Sequence, residues 1–155
     1  MTESANHFEP KDINFETRVA DSFERQNAMK TLGATLTCVA AGEVSIGFDF
    51  DPKLTQQHGF IHGGIVATVL DSACGYAAFS LMPPNAAVLT IEFKINLLSP
   101  AQGEWFEATG RVKKAGRTVT VTEGELYARQ GQSKKLIASM VATMMSVYDR
   151  DGISH

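Results

Sequence analysis

Residues 56–80 read QQHGFIHGGIVATVLDSACGYAAFS, and almost everything after the HGG of 62–64 is apolar or small. The pattern predicts one helix from Gly63 or Gly64 to about Leu81, where Pro83, Pro84 and Asn85 stop it. Asp71 breaks the apolar run. A carboxylate inside such a helix costs stability unless it is paired, hydrated or put to use. Its helical neighbours are Gly64, Ala67, Thr68, Cys74, Gly75 and Ala78, none of them large. The bulky Ile65, Val66, Val69, Leu70, Tyr76 and Phe79 fall elsewhere around the helix. Asp71 therefore stands on a shallow stripe that something must fill. One reading gives the space to another backbone or a partner helix, with Asp71 as its polar contact. The other gives it to a ligand and a water molecule on which the carboxylate acts.

The loop before the helix favours the second reading. Backbone N–H groups at a helix start are unpaired and carry the positive end of the dipole. Glycines at Gly63 and Gly64 let a ligand oxygen approach them. Such a site suits a carbonyl oxygen that gains negative charge under attack. Nine helical residues separate His62 from Asp71, roughly 13–14 Å along an axis. That is too far for both to serve one small reacting centre within one subunit. The N–H donors of one subunit are therefore expected to meet Asp71 of another across a two-fold axis, giving two equivalent sites per homodimer.

Working outward, the upstream segment INFETRVADSFERQNAMKTLG carries Ile13, Phe15, Val19, Phe23 and Met29 at mixed helical spacing, with Gly33 to close it. ATLTCVAAGEVSIGFDFD reads as two short strands around a turn near Ala41–Gly42. Downstream everything reads as strand. In VLTIEFKINLL, Leu89, Ile91, Phe93, Ile95 and Leu97 alternate with Thr90, Glu92, Lys94 and Asn96. GEWFEATGRVKK, a tight turn at 115–117, TVTVTEGELYAR and KLIASMVATMMSV follow, and Gly124 inside its strand hints at a bulge. One apolar helix and a single antiparallel sheet to cover it suggest a curled sheet wrapped round the helix, an α+β layout. The expected division is an N-terminal segment with a short helix over 1–30, loose and Pro-interrupted up to residue 12, and a main domain over 31–149.

The totals narrow the function. A chain of 155 residues with 44% hydrophobic and 20% charged residues is large enough for a real core. Its net charge of −3 gives no basic excess for nucleic acid, and the first 30 residues show no DNA-reading helix pair. The apolar run around 65–79 is too short and too interrupted for a membrane span. The first residues, MTESANHFEPKD, are polar and acidic and hold no basic leader. Cys38 and Cys74 lack metal-type spacing and are expected to be buried thiols in a reducing cytoplasm.

The pattern Q-x-x-G-x-x-H-G-G-x6-D over 56–71, with TIEFKINLLSP on the next strand, resembles the hotdog-fold thioesterases of the phenylacetyl-CoA thioesterase (PaaI-like) group. The resemblance covers about residues 30–147. It implies a curved antiparallel sheet around a central helix, obligate dimers that often pair into tetramers, and hydrolysis of acyl-CoA thioesters. It assigns Asp71 as the catalytic carboxylate, either base or nucleophile, and Gly64 as the residue whose N–H polarises the thioester carbonyl. His62 would order the loop and help hold that carbonyl, and Thr90 would position the attacking water. Six residues before His62, where many relatives carry asparagine, this chain has Gln56, which keeps an amide but adds a methylene. Thioester hydrolysis needs a polarised carbonyl and an activated water, so neither a metal nor a cofactor is expected. Asp71 in an apolar niche should have a raised pKa.

Gly63, His58 and Phe60 are further candidates for substrate contact, as are Lys114 and Arg117 of the KKAGR turn, which could meet CoA phosphates. The alternatives are ordinary: a solvated loop histidine, a core aromatic and a solvated hairpin tip. Phe60, Tyr76, Phe79 and Leu81 are candidates for the acyl lining, whereas His7 and His155 receive no role. Two other functions fit the same fold, a 3-hydroxyacyl thioester dehydratase and a non-catalytic acyl-CoA-binding module. Hydrolysis releases a free thiol from acyl-CoA; dehydration and binding do not.

Overall fold

The computed structural model describes residues 8–153; His7, His155 and the first seven residues of the N-terminal segment lie outside it. Two helices come first, α1 (Phe15–Glu24) and α2 (Asn27–Leu32), then strands β1 (Thr35–Ala40) and β2 (Glu43–Asp49) and a short 3-10 turn at Pro52–Leu54. The long helix α3 (Gly63–Phe79) follows, and then β3 (Ala86–Leu97), β4 (Trp105–Lys114), β5 (Val119–Gln130) and β6 (Ser133–Tyr148). The six strands form one antiparallel sheet in the order β1-β2-β4-β5-β6-β3. Helix α3 packs against five of them, from β2 to β3. A helix apolar nearly all round must be buried, and from Ser72 to Ser80 every residue of α3 and its C-cap is. This is the hotdog arrangement that the sequence implies.

Two glycines let the helix lie close on the sheet. A Cβ on Gly110 of β4 would sit 2.4 Å from the Ala73 backbone, and one on Gly124 of β5 would sit 2.9 Å from Cys74 Sγ. The two glycines face each other in regular register. Gly124 therefore marks a close helix approach and not the bulge its sequence suggests.

A bulge that bears on the site is in β3. Thr90 pairs with Met144 and Glu92 with Thr143, so Ile91 is an extra residue. Ahead of it Thr90 faces the helix side with buried Met144; beyond it Phe93, Ile95 and Leu97 do so, opposite buried Ala142, Met140 and Ala138. The five apolar residues of VLTIEFKINLL consequently do not share one face, as simple alternation implies. Strand β3 also ends the sheet, which leaves Leu89, Ile91, Phe93, Leu97 and the following Leu98 exposed.

Two further expectations change. The helix expected from residue 13 to Gly33 is two helices, because Gln26 is extended (φ −80°, ψ 95°) before α2 begins. Gly33 does close the second one, in the left-handed conformation at φ 63°. Cys38 is exposed on the edge strand β1, whereas Cys74 is buried, which pushes its thiol up to about 12.

Candidate active site

The loop 55–62 is pinned before the helix starts. His62 N–H donates to the Leu54 carbonyl (2.9 Å), Ile61 N–H to that of Ala101 (3.0 Å), and Gln56 N–H to that of Phe60 (2.9 Å). The Gln56 side chain turns back and accepts from His58 N–H. Gln56 thus folds the loop with its oxygen and at the same time lines an apolar cleft of about 360 Å³ with Phe60, Gly63, Val66, Leu97 and Leu98. His58 is exposed.

His62 is the N-cap of α3. Its Nδ1 accepts the Gly64 N–H at 2.8 Å, which places the ring proton on Nε2. The Ile65 N–H goes to the His62 carbonyl at 2.9 Å. The Gly63 N–H has no partner among the described residues. The helix tip therefore presents one free donor, and a second that the imidazole holds.

Asp71 lies about two and a half helical turns beyond His62, in a second and smaller cleft of about 110 Å³ lined by Gln26, Gly75, Tyr76, Val88 and Thr90. A Cβ on Gly75, one turn beyond Asp71, would meet nothing within 4 Å. The stripe of small residues is thus open at Gly75 beside Asp71 and closed against the sheet at Cys74, next to Gly124. Thr90 Oγ1 donates to Asp71 Oδ1 at 2.8 Å, a contact made possible by the β3 bulge. Among the described residues no lysine, arginine or histidine pairs with Asp71. Burial raises its pKa, and the Thr90 hydrogen bond partly opposes that rise.

The structure thus gathers the sequence candidates into two groups, Gln56, Phe60, His62, Gly63 and Gly64 at the helix tip and Asp71 with Thr90 in its middle. Lys114 and Arg117 join neither; both are exposed at the β4–β5 hairpin. Thr120 at the base of that hairpin and Thr90 both pair with Met144, so the hairpin starts two strand spacings from Thr90, roughly 10 Å. Of the residues expected to line an acyl pocket, Tyr76 lines the cleft beside Asp71 and Phe60 the one at the helix tip, whereas Phe79 and Leu81 are core. Sequence reading missed Gln26 and Val88 at the Asp71 cleft. Gln26 could have been found only from the pairing of the N-terminal helices with α3, which has no local signature.

The structure thus brings together a sheet curled round one helix, a half-buried carboxylate that pairs with no cation among the described residues, and a helix tip opened by glycines. The chain belongs to the thioesterase superfamily: the family profile of that description matches residues 58–135. It is similar to a crystallised thioesterase family protein from Silicibacter pomeroyi, with 52% identity, a TM-score of 0.86 and coverage of 87% of this chain and 99% of that one. The Escherichia coli protein YigI, named a medium/long-chain acyl-CoA thioesterase, is 31% identical over 131 residues, 75% of this chain and 83% of its own. A Halobacterium salinarum protein named as a candidate esterase is 38% identical over 97 residues, 59% of this chain, and the chain spans 64% of that relative's length. The Escherichia coli PaaI protein of the phenylacetic acid degradation operon shares the fold at 20% identity, with a TM-score of 0.78 over 86% of this chain and 94% of its own. The protein is a thioesterase.

Proposed function

We propose that it hydrolyses acyl-CoA thioesters with aromatic or medium-chain acyl groups, at sites built from two subunits. The carrying observation is Asp71 itself, raised by burial, held by Thr90 rather than by a cation, and open to a cleft. Thr90 occupies Oδ1, which leaves Oδ2 to take a proton from water. The resulting hydroxide attacks the thioester carbon. The carbonyl oxygen takes the Gly63 N–H and competes with His62 Nδ1 for the Gly64 N–H. The tetrahedral intermediate then collapses, the C–S bond breaks, and CoA leaves as the thiolate, which is protonated to the thiol. Gln56 and His62 hold the loop that carries these donors.

The topology supports shared sites. Leu97 at the far end of β3 abuts the helix tip, since a Gly63 Cβ would come within 2.7 Å of its Cδ1, whereas Thr90 near the start of β3 touches Asp71. If the exposed β3 edges of two copies pair antiparallel about a two-fold axis, each helix tip meets the other copy's Asp71. Lys114 and Arg117 stay available for the CoA phosphates, and a dimer of dimers follows the family pattern.

Free-thiol release from an acyl-CoA panel tests the activity. Mixed dimers test the sharing. One subunit carries Asp71→Ala; the other carries Gly64→Pro, which removes the N–H at a helix position where proline is tolerated. Shared sites leave one intact site per mixed dimer and restore activity that neither homodimer has. Sites within single subunits leave the mixture inactive.

A further inference from the structure

We propose that Gln26 is a specificity-determining residue that ends the acyl-binding cleft, delivered there by the break between α1 and α2. The inference rests on the acyl-CoA thioesterase reading and goes beyond it, to the residue that limits the acyl group.

Helix α1 is anchored to α3 at several points. The Arg18 guanidinium donates to the carbonyls of Phe79 (3.2 Å), Met82 (2.6 Å) and Pro83 (3.2 Å), capping the C-terminal end of α3, and stacks over the Phe79 ring at 4.2 Å. Asp12 holds its Nε at 2.8 Å. One helical turn on from Arg18, the Ser22 and Tyr76 hydroxyls stand 3.4 Å apart, and the Phe23 ring lies 5.9 Å from that of Tyr76. With α1 fixed, the extended backbone at Gln26 fixes where its side chain goes. Ser72 Oγ donates to Gln26 Oε1 at 3.1 Å, on the helix turn next to Asp71. The carboxamide therefore walls the cleft that holds Asp71, Tyr76 and Thr90.

What enters that cleft is the small end of the substrate. Its volume is about 110 Å³ and its floor is formed by buried Ser72 and Tyr76, so the nucleotide of CoA has no room there. With the thioester carbon beside Asp71, the acyl group extends toward Gln26. The cleft's lining is mostly polar, with Gln26, Asp71, Ser72 and Thr90, so each methylene at this wall is worth the low end of the roughly 10- to 200-fold that hydrophobic pockets reach, about tenfold.

The test compares kcat/KM for straight-chain acyl-CoAs of increasing length. Gln26→Ala removes the carboxamide and a methylene, and should shift the ratio of long- to short-chain kcat/KM upward by about tenfold. Gln26→Trp should shift it downward. Opposite shifts cannot come from a loosened α1, which would lower activity on all chains alike. Parallel profiles for wild type and both variants, or a uniform loss without a change of ratio, overturn the assignment while leaving the hydrolase reading intact. A wild type that releases no thiol from any acyl-CoA overturns both.

Discussion

Replacing Thr90 with valine keeps the shape of the side chain and its packing against Met144, and deletes the one side-chain hydrogen bond that Asp71 accepts among the described residues. That bond, 2.8 Å long, stabilises the ionised carboxylate, while burial opposes ionisation and prevails. Hydrogen bonds to charged groups contribute about 1.5–3 kcal/mol, and the open cleft favours the low end of that range. At about 1.4 kcal/mol per pH unit, losing the bond should raise the Asp71 pKa by about one unit. If ionised Asp71 is the base, activity falls as pH drops through that pKa. The acid limb of kcat/KM, followed by thiol release from one acyl-CoA, should accordingly move about one unit to higher pH in Thr90→Val. Thr90→Ser, which keeps the hydroxyl, should move it back. A limb that stays in place, or that moves to lower pH, would refute the Asp71–Thr90 assignment.

Asp71→Asn should abolish turnover while acyl-CoA binding, measured by calorimetry, persists. The same variant bears on stability. A carboxylate whose folded pKa is raised binds its proton more tightly when folded, so wild-type stability falls as pH rises from the ordinary carboxylate range through the raised value. Asp71→Asn should lack that fall and be at least as stable as wild type at neutral pH in urea titrations. Gly110→Ala forces a Cβ to within 2.4 Å of the Ala73 backbone, a close approach that no rotamer relieves, and should cost about 1–3 kcal/mol in the same titrations. Ile91→Lys sets a charge on the exposed β3 edge and should yield monomers in sedimentation together with lost activity; an active monomer would dismiss the two-subunit site.

What could be read in the sequence is what depends on local rules. The α3 boundaries follow from glycines at one end and prolines at the other, and the hairpin at 115–117 follows from its turn residues. The open niche of Asp71 follows from the small residues three and four positions away. What could not be read depends on partners distant in the chain. Gly124 looks like a strand defect until the helix it admits is seen above it. Gln26 looks like a residue of a longer helix until Ser72 claims it, 46 positions later. Cys38 looks like a core thiol until β1 proves to be an edge.

The β3 bulge joins the two kinds of information. Strict alternation would place Thr90 on the face opposite Phe93, Ile95 and Leu97, away from α3, because side chains of neighbouring strand residues point to opposite sides. The apolar row would then pack well and Asp71 would have no hydroxyl partner. One additional residue, Ile91, changes the phase of the strand, so that Thr90 and the apolar row both face the helix. The strand meets two requirements that a regular ladder sets against each other, an apolar row turned to the helix side along its second half and a polar contact near its start. The departure from alternation falls beside the carboxylate, where a packing rule gives way to a requirement of chemistry.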